Sequence, residues 1–315
     1  MLRTAKPRTA KGKRIQLAKE PQLIETTKQA LFIRGTTTSQ LVSSALKNLY
    51  QLKRPDGILF SKRNEVRPFE DPRPLEFFAD KNDAAILVVA SHSKKRPHNL
   101  VIARTFDNQV MDMVELGIEG GVSMEEFKGQ KAAIGHRPLL LFHGDAFESH
   151  EDLRTVRSLF MDLYRGDATA DLVNLSGLEH VISITAVGGT EGNKRIHMRV
   201  FTVHLKKSGT KLPRVELEEM GPSIDFVLRR YRLADKETWK MATKVPKQVK
   251  EKKEKNIEFD DIGDKFGRVH MGKQDLGKLQ TRKMKGLKRA ATDDEGDDAG
   301  EAVGSGKRQR AEDEE

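Results

Sequence analysis

Apolar residues recur with two different spacings over the first 235 positions. Ala30–Ile33 is a short continuous apolar run ended by Arg34-Gly35, which predicts a strand. Thr37-Thr38-Ser39-Gln40 follows and fits the S/T-x-x-E/Q capping signature of a helix start. Leu41, Val42, Ala45, Leu46, Leu49 and Leu52 then recur at three-and-four spacing, one apolar stripe of that helix. Arg54-Pro55-Asp56-Gly57 breaks it, Ile58–Phe60 predicts a strand, and Pro74–Lys81 predicts a short helix. Ala84–Ala90 is the longest uninterrupted apolar run and predicts a buried strand. A turn closed by Pro97 separates it from a second apolar run at Leu100–Ala103, and Gln109–Ile118 reads as extended.

A second cycle opens at Pro138. Leu139–Phe142 predicts a strand ended by His143-Gly144, and Ser149-x-x-Asp152 is a weaker cap. The helix behind it carries Leu153, Val156, Phe160, Leu163 and Tyr164 on one face and stops at Arg165-Gly166. His180–Val187 and Ile196–Lys206 predict strands, with Phe201, Val203 and Leu205 alternating with Thr202 and His204. Val215–Glu218 predicts another strand. Pro222 reads as opening a helix that contains Ile224, Phe226, Val227, Leu228 and Tyr231. Leu31–Gly35 and Leu140–Gly144 each lead into a Ser/Thr-capped helix, and those helices end in Asn48-Leu49-Tyr50 and Asp162-Leu163-Tyr164. Offsets of 109 at the glycines and 114 at the tyrosines predict a duplicated α/β unit, with halves at about 29–135 and 136–235.

Charge adds the flanks to this picture. The chain is 33% charged and 37% hydrophobic, so part of it is expected to stay unpacked. Residues 1–28 hold 8 Lys/Arg against 2 acids, and residues 29–235 hold 29 against 27. Residues 236–292 hold 17 against 8, and 293–315 hold 3 against 10. These spans predict a disordered basic arm, a nearly neutral folded body, a basic extension and an acidic disordered tail. The layout suits a nucleic acid gripped by extensions around a scaffold, with solubility or import as the plain alternative. Having no cysteine, the chain lacks disulfides, thiolate metal sites and a cysteine nucleophile, which fits a reducing compartment. No apolar run approaches the roughly 20 residues of a membrane helix, and the N-terminal cations precede no apolar core of a secretory signal. An intracellular soluble protein with no membrane partner is expected.

Candidate chemistry is cationic. Lys94, Lys95 and Arg96 sit on a short turn between two strands, which would fix their geometry toward a polyanion. Lys206, Lys207 and Lys211 form a second cationic turn, and Lys62-Arg63 and Lys194-Arg195 are comparable pairs. Charge on a turn is often only solvated. Arg229-Arg230 is read as surface ion pairing. In Thr281–Arg289 the cations Arg282, Lys283, Lys285, Lys288 and Arg289 interleave with Met284 and Leu287, a pattern suited to a short helix in an RNA or protein groove. Lys307–Arg310 is a weak import signal. Gly35 before the capped helix could cradle a phosphate, but a plain cap is the simpler reading. Gly188–Lys194 fails the phosphate-loop spacing and reads as a hairpin loop. The histidines form no ligand cluster, His143 and His204 reading as sheet residues, so no metal, cofactor or catalytic constellation is expected.

Three separated motifs, Arg34–Gln40, Asp56–Lys62 and Ser91–Leu100, resemble the Brix-domain ribosome-assembly factors. Arg67–Asp71 and the late block Gly267–Lys273 through Lys288-Arg289 are similar to one large-subunit branch of that family. The resemblance spans about residues 28–290. It implies an α/β fold of two related halves similar to anticodon-binding domains, and a nucleolar, non-enzymatic role. It further implies a heterodimer with the regulator of ribosome synthesis factor. That pair would bring the 5S ribonucleoprotein, 5S rRNA with its two ribosomal proteins, onto the precursor 60S particle, in contact with large-subunit pre-rRNA. The resemblance also strengthens the RNA reading of the 94–96 turn, RNA being read largely through shape, phosphate and 2′-OH. The competing expectation is a protein adaptor that touches no RNA.

Overall fold

The computed structural model describes residues 7–20, 23, 27–165, 178–188, 194–209, 212–246, 257–259 and 264–267. Ten strands form one mixed sheet: β1 (Ala30–Gly35), β2 (Gly57–Asn64), β3 (Ile86–Ser91), β4 (Asn99–Phe106), β5 (Gln109–Val122), β6 (Leu139–His143), β7 (His180–Val187), β8 (Arg195–Lys206), β9 (Arg214–Glu219) and β10 (Ser223–Arg232). Their order is β2-β1-β3-β4-β5-β10-β8-β7-β6, with β9 paired to β8. The fold is mixed α/β. Helices are α1 (Ala10–Lys19), α2 (Gln40–Lys53), α3 (Arg73–Asn82), α4 (Ala146–Ser149), α5 (Glu151–Tyr164) and α6 (Lys236–Ala242). A separate two-stranded antiparallel ladder joins β11 (Ile257–Phe259) to β12 (Lys265–Gly267).

The repeat is visible in the pairing. β1-β3-β4-β5 and β6-β7-β8-β10 run through the same senses, parallel, antiparallel, antiparallel. The two sets meet where β5 and β10 pair antiparallel. The strands that follow the two tyrosines are nevertheless not counterparts. β2 lies outside β1, whereas β7 lies inside β6 and matches β3.

The apolar stripes of α2 and α5 enter one core. Val42, Leu46 and Leu49 join Val156, Phe160 and Leu163 over Phe32, Val88, Ile102, Leu116 and Phe226. The Tyr164 hydroxyl reaches the Leu49 carbonyl at 3.5 Å, linking the two helices. Burial pushes that phenol's pKa up. α3 covers the opposite face, but only over the first set of strands, with Leu75 and Ala79 against Leu31, Ile33, Leu87, Val89 and Val101. Among the described residues no buried apolar cluster forms on that face of β6–β9. Register places Leu139, Leu141, Leu205, Val215 and Leu217 there, and all five are exposed.

A buried ionic cluster locks the layers. Arg104 on β4 is 6% exposed, pairs with Asp112 on β5 and Asp162 on α5, and donates to Ser158 at 3.1 Å. Its guanidinium lies 4.9 Å from the ring centre of Trp239 on α6, and Lys28 pairs with Asp162 at 2.9 Å. Burial pushes the Asp162 carboxyl up, but Lys28 and Arg104 outweigh it and hold the pKa below the ordinary value.

Four expectations need correction. The segment after Pro222 is strand β10, not a helix: Ile224, Phe226 and Leu228 are buried and alternate with Asp225, Val227 and Arg229. Its residues also fit a helical spacing, and ladders with β5 and β8 on either side decide the outcome. The cap of α2 is Ser39, whose hydroxyl accepts from the Val42 amide, two residues later than the capping signature suggests. Ser149 does not cap α5, since its hydroxyl donates to the Asp145 carbonyl and His150 occupies the cap position. The basic arm contains α1, capped by Thr9 and exposed at nearly all of its described side chains. With no apolar face it left no periodic signal.

Candidate nucleic-acid interface

β2, β1 and β3 are neighbouring parallel strands, so their carboxyl ends lie side by side, with Arg34 opposite both Arg63 and Ala90. Ligands of open α/β sheets bind at such ends, where successive crossovers diverge. Gly35 makes the close approach possible. A Cβ there would stand 2.8 Å from the Ala90 carbonyl oxygen. The chain can therefore pass directly from β1 into the cap of α2.

The turn after β3 is pinned to that cap. The His92 amide donates to the Thr37 carbonyl at 2.8 Å, and the Thr37 hydroxyl donates to the His92 carbonyl at 2.7 Å. The His98 Nδ1 and the Ser39 hydroxyl are 2.8 Å apart, and the His98 amide donates to His92 Nδ1 at 3.1 Å. Ser93 and Arg96 exchange backbone hydrogen bonds, closing the turn itself. Lys94 and Lys95 are therefore held at the tip of a tied loop. Both are exposed and have no acidic partner among the described residues.

Arg96 differs from its two neighbours. Its guanidinium pairs at 2.8 Å with Glu115, which is fully buried, and Arg230 bonds the same carboxylate oxygen. Phe69 in turn lies 4.3 Å from the Arg230 guanidinium. Of the three cations, two face outward and one anchors the turn to β5. Arg229-Arg230 is likewise more than surface pairing: Arg229 lies across Gly117 and reaches Asn99 at 3.3 Å.

Lys62 and Arg63 end β2 exposed, without an acidic partner among the described residues, on the same edge as the 94–95 tip. The edge also holds Arg34, which donates to Thr38 at 2.9 Å. Sequence reading passed over it as a strand terminator. Other candidates lie elsewhere or are already engaged. Lys194 pairs with Asp152 at 2.6 Å and Arg195 with Glu119 at 3.3 Å. They open β8, four strand positions from β3, a separation of about 19 Å at the usual strand spacing. Lys206 pairs with Glu216 at 2.5 Å, while Lys207 is exposed. Lys211, Arg282, Lys283, Lys285, Lys288 and Arg289 lie outside the described residues, as does most of the 188–194 loop.

His204 and His197 face carboxylates. His204 faces Glu218 at 3.3 Å, and His197 faces Asp225 at 2.6 Å beside Arg199. Burial pushes the Asp225 carboxyl up, but His197 and Arg199 prevail and hold it low. Among the described residues no three His, Cys, Asp or Glu side chains group as metal ligands.

Comparison with known proteins gives this edge its context. The Brix domain model matches residues 35–230. The chain is 45% identical over 299 residues to the Ribosome production factor 2 homolog of Schizosaccharomyces pombe, covering 94% of both chains. It is 47% identical over 265 residues to the human Ribosome production factor 2 homolog, covering 84% of this chain and 85% of that one. A crystal structure of a probable ribosomal biogenesis protein from Aeropyrum pernix K1 aligns with 66% of this chain and 99% of its own, with a TM-score of 0.40 at 12% identity. The Gly35 passage, the tied turn and most of β10 fall inside the matched span: the chain belongs to the Brix-domain family and, with its ribosome production factor 2 relatives, is a non-enzymatic ribosome-biogenesis factor.

Proposed function

We propose that this biogenesis factor binds rRNA along the carboxyl edge of β2-β1-β3. With the regulator of ribosome synthesis factor as partner, it would bring 5S rRNA and its two ribosomal proteins into the precursor 60S subunit in the nucleolus, a step on which large-subunit rRNA maturation depends. The observation that carries the reading is the pairing state of the cations. Lys62, Arg63, Lys94 and Lys95 face solvent from one tied edge while, among the described residues, Arg96, Lys194, Arg195 and Lys206 are each met by an acid. Cations held without counter-charges release counterions when they meet phosphate, which favours binding and makes it salt-dependent. The basic extension at 236–292, including Arg282–Arg289, would add a sequence-tolerant grip, with 29–235 as the two-half body and the acidic 293–315 tail outside the contact.

A protein-adaptor role is favoured by a different observation, the uncovered apolar face of β6–β9. α3 shields the equivalent region of the first half, and among the described residues no layer covers this face of the second, which a partner can supply. The two roles are compatible: the bare face takes the protein partner, and the cationic edge takes RNA. The test is the salt dependence of 5S rRNA affinity, measured for the purified heterodimer. Affinity that falls steeply with salt supports RNA binding. A tight heterodimer with no measurable RNA affinity in dilute buffer leaves the adaptor role alone.

A further inference from the structure

A second site lies away from the cationic edge, under the segment that leads from β5 to β6. A cavity of about 250 Å³ opens between the end of α2 and residues 131–136. Its walls are apolar: Leu52, Met124, Ala132, Ile134 and Met220. His180 also lines it, is 3% exposed, and buries an Nδ1 with no hydrogen-bond partner. Burial lowers the pKa of this imidazole against the opposing pull of Glu179, so the ring is neutral at physiological pH and offers one donor and one acceptor. Leaving a buried polar atom unpaired is costly, and native proteins seldom do so without a ligand or water to meet it.

Arg54 and Lys131 bring positive charge to the rim, Lys131 donating to the carbonyls of Phe127 and Met220. Glu179 accepts from the Ala133 amide at 2.7 Å and lies 3.4 Å from His136. No carboxylate is among the lining residues. A largely apolar slot with the buried His180 in its wall, the Gln51 amide beside it and Arg54 and Lys131 at the rim matches a flat heterocycle joined to a phosphate. The volume admits one base and part of a sugar but falls below the range of larger ligand sites. Two thioethers, Met124 and Met220, suit an aromatic face. A purely apolar side chain from a protein would leave His180 unmet and would gain nothing from the rim.

We propose that this cavity receives a single unstacked nucleotide of the bound RNA, its base against Met124 and Met220, its edge on His180 and its phosphate toward Arg54. The inference rests on the RNA-binding reading above, and single-stranded bases turned out of a loop are the usual object of such pockets. The test uses the full chain labelled with 13C at methionine methyls. Adding each of the four 5′-mononucleotides should shift the Met124 and Met220 signals, assigned with Met→Leu variants, while inorganic phosphate alone should not. Ala133→Trp, which fills the mouth without touching the core, should abolish those shifts. It should also weaken 5S rRNA binding about tenfold, a typical loss for one base contact, and lower the salt slope by no more than the roughly 0.7 of the one phosphate at Arg54. Absence of methionine shifts with every nucleotide overturns the proposal. So does an Ala133→Trp variant that binds RNA normally but its partner protein poorly, which would make the cavity a protein socket. Nucleotide-induced shifts in a chain whose heterodimer ignores 5S rRNA would retain the pocket and refute the RNA edge instead.

Discussion

Replacing Arg96 separates anchoring from RNA contact. In Arg96→Ala the buried Glu115 carboxylate keeps Arg230 but loses one of its two cations. A hydrogen bond to a charged group is worth roughly 1.5–3 kcal/mol, and Arg96 is 39% exposed, so solvent screening brings the expected loss to about 1–2 kcal/mol. For a domain of 150–250 residues each kcal/mol moves the thermal midpoint by about 2–4 °C, so Tm should fall by about 2–8 °C. Glu115→Gln leaves both arginines facing a neutral amide and should cost a similar amount. Because the two substitutions strike one network, the double variant should be less destabilised than the sum. Lys94→Ala/Lys95→Ala touches no partner among the described residues and should leave stability within about 0.5 kcal/mol of the parent. The same double change should flatten the log K against log salt slope for 5S rRNA by about 1.4, two contacts at roughly 0.7 each for single-stranded RNA. Calorimetry and filter binding on the parent and these four variants give both readouts. A thermally silent Arg96→Ala that flattens the salt slope by itself would refute the anchoring role and return Arg96 to the RNA contact.

Arg104→Met should be the most damaging single change in the ionic cluster. It leaves Asp112 without its arginine in the interior, at a cost of roughly 3–5 kcal/mol, measurable as a drop in the urea midpoint. Phe226→Ala should cost about 3–5 kcal/mol by leaving a void between β10 and α5, where the tilted ring of Phe160 lies 6.1 Å away; urea unfolding checks this too. His180 has a folded pKa below its unfolded value of about 6.5, so protonation favours the unfolded chain. Its contribution is fully present above pH 6.5 and is lost as pH falls through the depressed folded pKa. His180→Asn should therefore make stability fall less steeply from pH 6.5 toward 5 in parallel urea titrations. Gly35→Ala should lower Tm, because the Ala90 carbonyl 2.8 Å from the new methyl is backbone that must move.

Elements with one clear period were legible from the chain alone. The stripe of α2, the alternation of β8 and the continuous run of β3 each bury the residues their spacing selects. β10 was misread because Ile224, Val227, Leu228 and Tyr231 satisfy helical spacing while Ile224, Phe226 and Leu228 satisfy the strand's. Only the neighbours β5 and β8, distant in sequence, break the tie. α1 left no signal because it has no core to face. The candidate interface divides in the same way. A local cluster announces itself, so Lys94-Lys95-Arg96 stood out, but the acid that removes Arg96 from the surface lies nineteen residues away on β5. Lys194 and Arg195 look equally available in sequence and are met by Asp152 and Glu119. Which cations remain free for a polyanion is therefore a property of sheet register. A charge run shows where phosphate could bind, and only the carboxylates that the topology brings alongside decide where an unpaired charge is left to bind it.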